Sequence, residues 1–280
     1  MDRLMTATNN GLYGPLTKSI DIDESLALIA LTNEYEQVDA WQEEALFRLP
    51  QASRSRRQEI VRAVRRKFLT VEADRFAATP LRRLLTWPSL GERCKRDLLF
   101  AQYLRTTPLV WKAIREVVLP HAEAIAHPLN DDNAEIPQDA WDQFLEHNLR
   151  QYTDTTFSRT RRHITAHLVK FGLLEDRPIP GDRIAKQFFA HFYEPDPRAF
   201  WFSLALEFAE NGWSSRSLDY IINDSWTRTA YCTKTTYAHF VIEEAERAAL
   251  VTTEYFGSEK QITLRGTDRV TQITDAILYG

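Results

Sequence analysis

The chain has 280 residues, of which 44% are hydrophobic and 26% charged, and its formal net charge is −4. This composition excludes wholesale disorder and leaves room for two or three compact units. Nine glycines argue against an all-β sandwich or a glycine-rich nucleotide fold, and the abundance of Leu, Ala, Arg and Glu favours helix.

The net acidity excludes a uniformly basic nucleic-acid coat, yet the cations are unevenly placed. They are 27 Arg against 8 Lys. A planar guanidinium suits phosphate and guanine, although arginine-rich codon usage gives the same bias. Cys94 and Cys232 suggest no disulfide framework, which fits a reducing compartment. The first residues lack the apolar run of a signal peptide, and Phe200–Leu206 is stopped by Glu207, far too short to span a bilayer. A soluble, cytoplasmic protein with no membrane partner is expected.

In chain order, residues 1–15 read as a loose leader. A first helix is expected over 19–32 with Asp21, Asp23 and Glu24 in its opening turn, and a second over 38–49, stopped by Pro50. Ser53 reads as the N-cap of a helix reaching residue 76, with Ile60, Val64, Phe68 and Val71 at helical spacing. Helices follow over 89–106 and 108–126, and residues 127–133 form the best linker. Beyond it, helices are expected over 137–147 and 158–171, the latter ended by Gly172. Further helices are expected over 182–193, 198–211, 214–224 and 234–249. Residues 250–255 and 261–264 then form a β-hairpin, as at the end of a winged helix-turn-helix.

The fold expected is mainly α: a multi-helix bundle with helix-turn-helix or winged-helix modules and a small C-terminal β-hairpin. Residues 1–127 would form an N-terminal helical domain with a basic helix-turn-helix. Residues 134–180 would form a central helix-turn-helix module, and 181–280 a C-terminal helical or winged-helix module.

Three basic stretches carry the functional reading. The first holds Arg54, Arg56, Arg57, Arg62, Arg65, Arg66 and Lys67 with Glu59 the only acid among them. Preceded by a shorter helix across Pro50-Gln51-Ala52, it has the layout of a helix-turn-helix; the plainer alternative is a solvated helix face. The second contains Ser158, Arg159, Arg161, Arg162 and Lys170, with no acid from Thr155 to Gly172. Thr155, Thr156 and Ser158 near its start are suited to phosphate. The third runs from Ser225 and offers Arg228 and Lys234 among threonines, with Glu243, Glu244 and Glu246 making its far end acidic.

Signatures of catalysis are missing. The chain has no Walker loop, no dinucleotide fingerprint, no G-x-S-x-G elbow and no Cys-x-x-Cys. No lysine has an acid two positions before it. His163 and His167 would share a helix face, which without a third ligand reads as a helix-surface pair rather than a metal site. No cofactor is expected.

The pattern resembles the BrxA family, the small component of bacteriophage-exclusion (BREX) systems. The resemblance rests on Pro15-Leu16-Thr17-Lys18-Ser19, the Arg-rich helix after Ser53, Trp141-Asp142-Gln143-Phe144, and Ser158-Arg159-Thr160-Arg161-Arg162. The last of these leads into His167-Leu168-Val169-Lys170-Phe171-Gly172-Leu173-Leu174. It is distributed from about Leu16 to Leu264. It implies an all-helical DNA-binding protein encoded beside a methyltransferase and large ATPases, acting against phage without catalysis of its own. Residue by residue it supports only the helices Arg54–Lys67 and Arg159–Lys170, with the portion after about Glu194 an elaboration.

Double-stranded DNA is thus the expected partner, bound mainly through phosphate, with other phage-defence proteins as further partners. Two other readings stay open. One is a transcriptional regulator of a defence operon, which predicts a dimer and a palindromic site. The other is an adaptor holding defence enzymes together, for which exposed aromatics among Phe188, Phe189, Phe192, Phe200, Trp201 and Phe202 would serve, although their spacing fits buried helix faces. Basic helices do not by themselves separate DNA from RNA.

Overall fold

The computed structural model describes residues 21–125, 135–149, 154–179, 186–266 and 268–279. The leader expected over residues 1–15 and the linker expected over 127–133 lie outside the described residues. The protein is mainly helical with small sheets.

The first elements among the described residues are α1 (Ile22–Ala30), α2 (Val38–Arg48) and α3 (Arg54–Phe68), followed by the short hairpin β1 (Val71–Glu72) and β2 (Arg75–Phe76). Next come α4 (Pro80–Thr86), α5 (Glu92–Arg105) and α6 (Pro108–Ala113), which runs through a π-helical segment, Ile114–Val118, into α7 (Leu119–Ile125). Then follow β3 (Glu135–Ile136), α8 (Gln138–Leu149), α9 (Asp154–Lys170), β4 (Leu174–Pro178) and β5 (Lys186–Ala190). The last part holds α10 (Pro197–Asn211), β6 (Ser215–Ser217), α11 (Leu218–Asn223), α12 (Trp226–Ala230), α13 (Thr235–Arg247), β7 (Val251–Phe256), β8 (Glu259–Leu264) and α14 (Arg269–Tyr279).

Two compact units emerge. Among the described residues, one draws on Leu104–Glu194 and Arg228–Lys234, the other on Ile20–Tyr103, Pro195–Thr227 and Thr235–Gly280. In the first, Leu109, Val110, Ile114, Val118, Trp141, Leu145, Ile164, Leu168 and Tyr231 are buried. In the second, the core includes Trp41, Leu84, Leu85, Leu98, Phe200, Phe202, Phe208 and Val241.

One topology recurs three times. A helix leads to a short extended segment, then to two further helices and a hairpin, and the extended segment pairs with the second hairpin strand. At the first occurrence Gln37 bridges Arg75 of β2, with Val38 N donating to the Asp74 carbonyl at 3.0 Å. At the second the strand order is β3-β5-β4, and at the third β6-β8-β7, all antiparallel. The third occurrence inserts α12 between its two helices.

The sheets correct several expectations. The strands are not confined to a C-terminal hairpin. The helix expected from Ser53 to residue 76 ends at Phe68, because Ala73 and Asp74 both adopt positive φ (47° and 62°) and turn the chain into β1–β2. A two-residue loop of that kind matches the twist of a hairpin, although Ala-Asp lacks the usual glycine. The helix expected over 182–193 is replaced, within the described residues, by β5, whose register places Phe189 opposite both Glu135 and Glu175. The helix expected over 214–224 is β6 followed by the six-residue α11.

Helix ends follow local chemistry. The Ser53 hydroxyl accepts from Arg56 N, and Asp21 and Asp196 cap α1 and α10 in the same way. Gly172, at φ 82°, closes α9 with Leu173 N bonded to the Leu168 carbonyl at 2.9 Å. Arg82 ties the first repeat together: it donates to Thr32 Oγ1 at 2.9 Å and to the Thr32 and Phe76 carbonyls at 2.8 Å each.

Candidate nucleic-acid interface

The α3 helix buries Ile60, Val61, Val64 and Phe68, which turns the opposite side outward. Arg54, Arg62, Arg65 and Arg66 are exposed on that side, and no carboxylate lies within ion-pair distance of them among the described residues. At 100° per residue these four positions fall within about 120° of the helix circumference. Two other candidate arginines are partly committed to the fold. Arg56 pairs with Glu59 at 2.7 Å, and Arg57 donates to the Leu46 carbonyl of α2 at 2.9 Å.

Lys67 belongs to the core. It is 5% exposed, its ammonium lies 4.9 Å from the centre of the Tyr103 ring, and burial, with a smaller push from Arg66, lowers its pKa to about 8.

The α9 helix is already formed at Asp154, before the expected Ser158, so Ser158 sits inside the helix and exposed. Arg159, Arg162 and Lys170 are exposed and fall on one side, since 159, 162 and 170 differ by multiples close to whole turns. Arg161 is half-buried and bonded to Asp142 of α8 at 3.2 Å. His163 and His167, expected at the helix surface, are buried at 9% and 1% exposure, because they lie beside the apolar stripe of Ile164, Leu168 and Phe171. No group of three metal-binding side chains occurs among the described residues.

Arg162, with Ser158, Arg161, Thr165, Ala166 and Val169 of α9, also lines a cleft of about 670 Å³ together with residues of β3, α8, β4 and β5. Lys186, Gln187 and Phe188 of β5 line it. They were not among the expected site residues, because the segment reads as helix in the sequence; the run of adjacent aromatics was the available signal for strand.

The third basic stretch is built differently. Arg228 is 4% exposed, donates through Nε to the Thr233 carbonyl at 2.9 Å and pairs with Glu123 at 2.6 Å. It holds the turn after α12 and offers no charge to a ligand. Arg228→Ala is therefore expected to lower stability by about 3 kcal/mol while leaving affinity for nucleic acid unchanged, as read by thermal melting and a binding titration in parallel. Lys234 remains exposed, 5.6 Å from the Phe192 ring centre. On α13, Arg247 is engaged by Glu243 and Glu244, and Phe240 is exposed.

Cys94 and Cys232 are buried, and burial pushes both thiols well above their ordinary pKa. No helix among the described residues is long and apolar enough to cross a membrane. Of the aromatics named as adaptor candidates, Phe189, Phe200 and Phe202 are core, and Phe188, Phe192 and Trp201 are half-buried.

Comparison with curated proteins and with solved structures finds no match. A family model described as BrxA matches residues 16–193, a span that takes in the first two repeats and ends before α10. That span is more than half of the chain, and the protein accordingly belongs to the BrxA family and is a BREX-associated defence protein.

Proposed function

We propose that this protein is a non-enzymatic component of BREX-type phage defence that binds double-stranded DNA through two winged-helix modules. The first runs from α1 to β2, and the second from α6 to β5. In such modules the second helix of the pair enters the major groove while the hairpin flanks it along the backbone.

The observation that carries this reading is the placement of the exposed guanidiniums. α3 and α9 hold the same position in the repeated topology, and each turns aligned, exposed cations away from its buried stripe: Arg54, Arg62, Arg65 and Arg66 on one, Arg159, Arg162 and Lys170 on the other. Arginine side chains on an exposed helix face suit phosphate contacts, which bind any duplex and weaken as salt rises. Ser158 lies beside Arg159 and Arg162 as a hydroxyl donor. Arg56, Arg57 and Arg161 support the helices that carry the contacts, and Arg228 is left out of the interface. The further partners are the methyltransferase and ATPases of the same defence system, and no cofactor is needed.

Replacing Arg159 and Arg162 together by Ala tests the second module. If both touch phosphate, the slope of log affinity against log salt shrinks by about two units. An unchanged slope removes α9 from the interface.

One observation favours a second role for the third repeat. Its α13 face holds Phe240, Glu243 and Glu244, and its hairpin tip exposes Tyr255 and Phe256 at 72% and 64%. Such exposed aromatics suit a protein partner better than a phosphate backbone, which keeps the adaptor reading beside the DNA-binding one.

A further inference from the structure

We infer that the cleft between α9 and β5 holds a single unpaired nucleotide of the DNA bound by the second module. The inference rests on the DNA-binding reading and goes beyond it, because phosphate contacts alone need no cavity.

The cleft joins three kinds of surface. Phe188, half-buried on β5, offers a ring beside the aliphatic Val169 of α9 and the buried Trp141 of α8. Gln138 and Gln187 place amide groups at the edges, Gln187 through its carbonyl oxygen because its Nε2 donates to Glu135. Arg162 stands at the mouth with its guanidinium exposed. An aromatic face, amide edges and a cation at the entrance match the three parts of a nucleotide: a planar ring, a hydrogen-bonding edge and a phosphate. The rim also carries two carboxylates, and both are engaged: Glu135 accepts from Gln187 at 3.0 Å, and Asp176 pairs with Lys186. The volume of about 670 Å³ falls within the span of about 300–1,000 Å³ usual for small-ligand sites.

Paired, stacked bases cannot present a face to Phe188. The ring is useful only to a base that has left the stack, so the cleft favours DNA in which the unstacking is already done. The Arg159–Lys170 face would hold the flanking backbone while the cleft takes the extruded base.

The test is a pair of titrations of the full chain, with a matched duplex and with the same duplex carrying one bulged nucleotide. The bulged duplex is expected to bind about tenfold more tightly. Phe188→Ala should remove most of that preference while affinity for the matched duplex stays, with thermal melting to confirm that the variant is folded. Gln138→Ala alters an exposed side chain at a helix start and should narrow the preference without touching the core. Equal affinity for both duplexes overturns the inference and leaves the DNA-binding reading standing. A preference that survives both substitutions also overturns it. Failure to bind the matched duplex at all overturns the DNA-binding reading first and the cleft with it.

Discussion

Replacing Arg62, Arg65 and Arg66 together by Glu is expected to weaken binding to duplex DNA by more than about a hundredfold at moderate salt. The three side chains are exposed on one side of α3 and make no ion pair among the described residues, so the fold does not depend on them. If each contact with phosphate contributes roughly 1 kcal/mol, losing three gives about a hundredfold, and the added negative charge increases the effect. Surface charge changes of this kind shift stability by only about 0.5 kcal/mol each. Affinity and melting temperature should therefore separate, the first collapsing and the second moving little. A triple variant that binds as tightly as the parent would show that α3 faces away from DNA. The buried stripe of Ile60, Val61, Val64 and Phe68 makes a general unfolding an unsuitable explanation for any loss, because none of the three substitutions touches it.

Glu207→Ala should give the largest loss of stability of any substitution considered, about 3–5 kcal/mol. Glu207 lies on α10 at 2% exposure. One carboxylate oxygen accepts from Trp226 N at 2.9 Å, and the other accepts from Thr227 N at 3.0 Å and from the Thr227 hydroxyl at 2.8 Å. The side chain thus caps the start of α12 from a helix fifteen or more residues away in sequence, supplying partners for N–H groups that a helix start leaves open. Thr227 is itself fully buried, so water cannot take over when the carboxylate is removed. Glu207→Gln keeps one acceptor oxygen and should lose roughly half as much. The measurement is thermal or denaturant unfolding of both variants beside the parent, and a cost below about 1 kcal/mol for the alanine variant would contradict the capping role.

The parts of this fold that were legible in the sequence are those set by neighbours along the chain. Ser53 caps α3 as its position before an apolar-periodic run suggests, Gly172 ends α9 because glycine takes the left-handed turn without Cβ strain, and the C-terminal hairpin follows from two short runs around Gly257. The parts that were not legible depend on distant partners or on an atypical turn. Ala73-Asp74 carries no glycine, so β1–β2 passes for a continuation of α3. β5 owes its conformation to β3, some fifty residues earlier, and to β4. α14, unforeseen, packs against α4 and α10, with Asp275 bonded to Arg83 at 2.7 Å.

The candidate interface divides in the same way. Which helices are basic was legible from local composition. Which cations are available was not, because that depends on burial and on acids far away in sequence. Arg228 looks like a ligand-binding residue among threonines until Glu123, over a hundred residues before it, is seen to hold it. Lys67 sits in the densest basic run of the chain and yet lies over Tyr103 inside the core. Arg65, by contrast, is exposed like its neighbours Arg62 and Arg66 and joins them on the outward side.

The proposed role is binding of double-stranded DNA through the phosphate backbone. It is tested most directly by titrating the purified full chain into a fluorescent duplex at several salt concentrations, with unlabelled random duplex and RNA as competitors. The prediction is binding that weakens steeply as salt rises and that any duplex displaces equally well. No binding even at low salt would overturn that role and leave the adaptor reading, for which Phe240, Tyr255 and Phe256 of the third repeat are exposed.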